Sequence, residues 1–149
     1  MLTKLARQTI ETWRLGFVAT VGANGLPNLS PKGTFVIVDD ASIAFAEMRS
    51  PVTVANIMVN PEVEINFVDI LSRRGIRIRG RAEIHEKDSE TYARVEPLFM
   101  EHWPTLQELF NLAVLVPIGE IRPLTSPIYE VGGLEADLRK HWKDRIAAL

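Results

Sequence analysis

The side chains of Leu2, Leu5, Ala6, Thr9, Ile10 and Trp13 recur three and four residues apart. That spacing predicts a short amphipathic helix, ended near Gly16. The pattern then changes to that of strands. Phe17 to Val21 is rich in strand formers, Gly22-Ala23-Asn24-Gly25 is turn chemistry, and Leu26 to Lys32 returns as the partner of a hairpin. A second hairpin pairs Thr34–Val38 with Ser42–Ala46 around Asp39-Asp40-Ala41. Ser50 before Pro51 marks a helix start, with the serine hydroxyl as cap and Val54, Ile57 and Met58 as the apolar face; Asn60-Pro61 stops it.

Glu62 to Val68 and Ile76 to Ile84 both alternate, joined by Leu71-Ser72-Arg73-Arg74-Gly75 as a third hairpin. Asp88 or Ser89 caps a helix running to about Trp103, where Pro104 interrupts, and a shorter helical piece follows from Leu106 to Asn111. Val114 to Ile121 reads as a strand whose Pro117 requires an edge or a bulge. Pro123 and Pro127 frame an irregular segment. Leu138, Trp142 and Ile146 then mark a terminal amphipathic helix over Leu134–Leu149. This order predicts a mainly β fold, an antiparallel barrel with peripheral helices, forming a single domain over residues 1–149.

Composition removes several functions. Acidic residues number 19 and basic residues 17, which leaves no global positive field for nucleic acid or an anionic membrane. There is no cysteine, and so no disulfide, thiolate nucleophile or cysteine-based metal site. His85, His102 and His141 are scattered away from paired carboxylates, so no metal site is expected. The amino terminus lacks the apolar run of a signal peptide, and Leu112–Gly119 is too short to span a membrane; a cytoplasmic address is the expectation.

Three segments can carry chemistry. In Ala46-Glu47-Met48-Arg49-Ser50-Pro51-Val52-Thr53 a strand ends and a helix begins, and unpaired helix amides there can hold a phosphate aided by Arg49, Ser50 and Thr53. The plainer alternative is a capped helix beside a solvated arginine. In Asn28-Leu29-Ser30-Pro31-Lys32-Gly33-Thr34, small and restricted residues surround one lysine. A flat ring could approach the backbone there, with Lys32 stabilising negative charge on it; an ordinary strand corner is the other reading. Arg77, Arg79 and Arg81 share a strand face opposite Glu62 and Glu64, so cross-strand ion pairs account for them, with a subunit contact or an anionic ligand as the alternative. Arg73 and Arg74, in the loop, are freer to serve a ligand.

Together, Leu15-Gly16-Phe17-Val18-Ala19-Thr20, Gly25-Leu26-Pro27-Asn28, Ser30-Pro31-Lys32-Gly33-Thr34, Arg49-Ser50-Pro51, Asn56, Asn60-Pro61 and Arg73-Arg74-Gly75 resemble the pyridoxamine 5′-phosphate oxidase-related FMN-binding proteins, over roughly residues 10–85. The resemblance implies an antiparallel split β-barrel that pairs as a homodimer, with FMN at the subunit interface. It implies that Ser30, Pro31, Lys32 and Gly33 run beside the flavin ring. Ala46, Glu47, Arg49, Ser50, Thr53 and Asn56 would lie at the cofactor, the last four around its phosphate. Arg74, and with it Arg77, would reach the neighbouring subunit's cofactor, and Pro123–Tyr129 would lie near the interface.

The resemblance has limits. True pyridoxamine phosphate oxidases carry an Arg-Leu-His-Asp-Arg motif near the carboxyl end, where this chain reads Glu135-Ala136-Asp137-Leu138-Arg139-Lys140-His141-Trp142. The family's Arg-Lys pair at the phosphate turn is replaced by Val52 and Thr53, which leaves Arg49 to supply the charge. The expectation is therefore an FMN-dependent oxidoreductase acting on a small molecule other than pyridoxamine phosphate. The alternative is a non-enzymatic module that binds or senses flavin, haem or a deazaflavin.

Overall fold

A computed structural model describes residues 1–149. Its strands are β1 (Gly16–Val21), β2 (Pro27–Lys32), β3 (Phe35–Asp39), β4 (Ser42–Glu47), β5 (Glu62–Asp69), β6 (Arg74–Arg81), β7 (Glu83–Glu86) and β8 (Leu112–Thr125), and its helices are α1 (Lys4–Trp13), α2 (Pro51–Val59), α3 (Glu90–His102) and α4 (Glu135–Ala147). The strands pair antiparallel in the order β2-β1-β5-β6-β8-β4-β3, with β7 also on β8. This is the antiparallel barrel with peripheral helices that the pattern predicted, and the split form that the resemblance implied. The first two hairpins form as read, with registers Val18 to Ser30 and Val36 to Ala44.

The long strand β8 joins the two halves of the sheet. Leu112–Pro117 pairs with β4, while Ile118–Thr125 pairs with β6. The register slips between Arg79 and Gly80, where Gly119 is the extra residue of a bulge. Pro117 therefore sits at a bulge in an interior strand, not at an edge. Close packing makes the bend depend on glycine: a Cβ on Gly80 would stand 2.3 Å from the Pro117 carbonyl oxygen. The alternation read as one strand from Ile76 to Ile84 is broken at buried Ala82, so that β6 and β7 serve different halves. Pro123, read as irregular, lies within β8 opposite Ile76.

Two clusters fill the halves. Inside the barrel, Val18, Phe35, Phe45, Ile65, Phe67, Ile78 and Val116 pack with Ile10 of α1 and Ile57 of α2. Behind it, Tyr92, Val95 and Phe99 of α3 pack on Val36, Ala44, Ala113 and Leu115. β4 is covered on both sides, which is why all six of its residues are buried. A strand packed on two faces reads as a continuous run rather than an alternating one.

The helices differ from the sequence reading in one end and one face. α1 stops at Arg14, in the left-handed region at φ 47°, before Gly16; the Arg14 Nη1 donates to the Phe35 carbonyl at 3.0 Å. In α2 the inward residues are Thr53, Asn56 and Ile57, while Met58 is 75% exposed. α3 is capped by Ser89, and a 3₁₀ segment covers Pro104–Leu109. The terminal helix forms, yet buries no residue. No helix is long and apolar enough to cross a membrane.

Candidate functional site

The two segments singled out for cofactor chemistry meet in space. Ser30, Pro31, Lys32, Gly33 and Thr34 at the end of β2, and Ala46, Met48, Arg49 and Ser50 at the end of β4, line one pocket of about 470 Å³. Leu106 and Leu109 of the 3₁₀ segment complete its wall, a contribution that sequence reasoning missed because their helical spacing carries no chemical signal. Small-molecule sites typically enclose about 300–1,000 Å³.

The inner part of the pocket holds Lys32, only 7% exposed. Its Nζ donates to Ser30 Oγ, and to Thr53 Oγ1 at 3.4 Å, and no carboxylate forms an ion pair with it. Burial holds its pKa below the usual lysine value, against the opposing pull of the Glu47 charge. A buried ammonium held only by neutral hydroxyls retains its charge for an anion to answer. Arg49, exposed at the mouth, makes no ion pair either.

The helix beside them completes the corner. α2 starts with Pro51, has no acidic residue in its first turn, and receives no side-chain cap. Contrary to the sequence reading, the Ser50 hydroxyl does not cap it but donates to Glu47 Oε1 at 3.1 Å. Glu47 is buried, outside the pocket wall, and engages protein donors. Thr53 lies behind the wall against Lys32, and Asn56 is turned inward, where its Nδ2 donates to Thr20 Oγ1 at 3.0 Å. The structure thus gathers Ser30, Pro31, Lys32, Gly33, Ala46, Arg49 and Ser50 at the surface of one pocket, with Glu47 and Thr53 bonded to its lining residues from behind, whereas Asn56 is held by Thr20 and is not among them.

Arg74 is not part of this group within one chain. Its Nη1 pairs with Glu135 Oε2 at 3.1 Å and its guanidinium lies 4.1 Å from the centre of the Tyr129 ring. Arg73, with φ 58°, stacks on Trp142 at 3.8 Å. Neither is the free loop cation that the sequence suggested. Arg79 and Arg81 do pair across the hairpin as read, with Glu64 at 2.8 Å and Glu62 at 3.0 Å, and Arg77 reaches Glu64 at 3.2 Å.

The residues present fit a phosphorylated planar cofactor. Nothing lies within 4 Å of where a Cβ on Gly33 would stand, so this wall is open backbone, and its φ is not in the region that requires glycine. The uncapped amides at the start of α2, Lys32 and Arg49 form a donor set suited to a phosphate ester.

Known structures carry the same architecture. HupZ from Group A Streptococcus is 28% identical with a TM-score of 0.72, over 85% of this chain and 96% of its own. An FMN-binding protein from Syntrophomonas wolfei is 19% identical, with a TM-score of 0.69 over 83% of this chain and 86% of that one. HutZ, the haem storage protein of Vibrio cholerae, is 22% identical, with a TM-score of 0.66 over 78% and 89%. The last two likenesses show a shared fold alone. No curated protein matches the chain. The sequence model described as pyridoxamine 5′-phosphate oxidase matches residues 2–116, which include the three hairpins, the turn from β4 into α2 and the start of β8. With barrel, pocket and sequence in agreement, the chain belongs to the pyridoxamine 5′-phosphate oxidase family.

Proposed function

We propose that this protein binds FMN and works as an FMN-dependent oxidoreductase on a small molecule. The observation that carries the reading is Lys32, a buried amine without a carboxylate partner, which lines the same pocket as Ser50, the residue before the uncapped helix α2. Bound there, the flavin would supply hydride transfer. Ser30–Gly33 would offer the ring a close backbone approach, with Lys32 stabilising negative charge on it. Arg49, Ser50 and the α2 amides would take the phosphate, backed by Thr53.

The expected working form is a homodimer in the cytoplasm, with the cofactor at the subunit interface. Support comes from the outer face of the first hairpin, where Phe17, Val21, Pro27, Leu29 and Pro31 lie together and Leu29 is 65% exposed. Pro31 also lines the pocket, so a second copy seated on this face would close it. Arg74 of that copy is a candidate to reach the cofactor.

Titration of the purified protein with FMN, read by flavin fluorescence and melting temperature, tests the reading. Saturable binding that weakens on Arg49→Ala supports it; a colourless protein that neither binds FMN nor gains stability from it overturns it. Rapid, saturable reduction of the bound flavin by NADH or NADPH would mark the enzyme, and an inert bound flavin the binding module.

The second reading is a non-enzymatic module that binds or senses flavin, haem or a deazaflavin, the fold being one that a haem storage protein, HutZ, also has. The pocket wall contains Met48 but no histidine, so haem ligation there would fall to a thioether or to a group from the second copy. A haem titration followed through its absorption spectrum tests the haem form of this reading.

A further inference from the structure

Ser50 occupies the N-cap of α2, yet both of its donors point backwards. Its N–H meets Glu47 Oε1 at 2.5 Å, and its hydroxyl meets the same oxygen at 3.1 Å. The Glu47 side chain is buried, and its other oxygen accepts from Asn111 Nδ2 at 3.1 Å. Asn111 also donates its backbone N–H to the Glu47 carbonyl at 2.8 Å and its Nδ2 to the Met48 carbonyl at 2.7 Å. The carboxylate is thus clamped between the phosphate turn and the residue preceding β8.

A serine at this position ordinarily folds its hydroxyl onto the second or third helical amide. Here those belong to Val52 and Thr53, and no side chain caps them. Independently, Lys32 is directed to the same place by its contact with Thr53 and lacks a carboxylate partner. We propose that Glu47 is the positioning residue of this corner: building on the flavin reading above, its carboxylate withdraws Ser50 from the helix start, so that the amides of Val52 and Thr53 stay free for a phosphate ester.

The negative charge of Glu47 has an opposing effect, since it repels an anion. One consequence of removing it outweighs that relief: Ser50 becomes free to cap the amides the phosphate needs. Glu47→Ala is therefore expected to weaken FMN binding about tenfold, on the scale of a lost or gained cap, and to leave riboflavin, which has no phosphate, unaffected. Adding Ser50→Ala removes the competing hydroxyl and restores FMN affinity to within about threefold of wild type, allowing for context dependence of such contacts. Glu47→Gln keeps an acceptor for Ser50 and retains affinity.

Equal or tighter FMN binding by Glu47→Ala, or failure of Ser50→Ala to rescue it, overturns the proposal. Should Glu47→Ala not fold, Glu47→Met, which keeps the buried volume, takes its place in the same comparison. Ligand-free amide spectra test the step on its own. The Val52 and Thr53 signals move downfield in Glu47→Ala and return in the double variant, and signals that stay fixed count against it. Failure of the wild type to bind either flavin would instead overturn the functional reading.

Discussion

The corner between β2, β4 and α2 and the turn that carries α4 both bury charge, but they treat it in opposite ways. Asp69, 8% exposed, accepts from the Leu71 and Ser72 amides at 2.9 and 3.2 Å, from the Ser72 hydroxyl at 2.7 Å and from Arg139 at 2.5 Å. Burial pushes its pKa up, yet these donors together outweigh burial and hold its carboxyl below the usual range. At Lys32 burial wins, because only hydroxyls bond to it and the Glu47 charge acts on it without an ion pair. A charge used to fasten structure has its counter-charge in the chain. A charge held without one costs stability and is available to a ligand.

The comparison can be broken by exchanging the sign or the partner of each charge. The largest effect is expected from Lys32→Glu, which places a second carboxylate beside Glu47: FMN affinity should drop on the order of a hundredfold, read by fluorescence titration. Retained affinity would remove Lys32 from the site. Next, Asp69→Asn weakens the turn by about 1–3 kcal/mol, measurable by urea unfolding. Because the Asp69 pKa is lowered in the fold, its contribution is present above the ordinary value of 3.8 and is lost as pH falls through the lower folded value. The gap between wild type and variant should therefore close in acid.

A smaller effect, of opposite sign, is expected at Lys32→Met. Folding favours the neutral amine, so the site contributes fully above the ordinary 10.5, and this contribution is lost as pH falls through the lowered value. The ligand-free variant should melt above wild type near pH 7, with the difference shrinking as pH approaches 10.5. The smallest effect is expected from removing residues 135–149. α4 buries no residue, so its loss should move the melting temperature by less than about 4 °C. A larger drop would show that the Arg139 pair with buried Asp69 contributes more than the exposed pairs that Glu135 makes with Arg74 and Arg139.

Much of the barrel was legible from period alone. The three hairpins, the start of α2 at Ser50-Pro51 and the ion pairs opposite Glu62 and Glu64 follow from alternation, turn residues and cross-strand spacing, all local properties. Ser30–Thr34 and Arg49-Ser50, singled out in the sequence for their chemistry, line one pocket. Helix ends were less legible. Arg14 ends α1 because its guanidinium is anchored on Phe35, twenty-one residues away, and no local rule anticipates a left-handed arginine.

The chain by itself determined which segments are strands and which residue types could answer a phosphate, since these depend on neighbours a few positions apart. Only the tertiary structure decided that Ser50 turns to Glu47 instead of capping α2, that Arg73 and Arg74 are taken by Trp142 and Glu135, and that Leu106 and Leu109 form a wall of the pocket. In each case the deciding partner is remote in sequence or competes with a local one, and the fold settles that competition by burial and geometry.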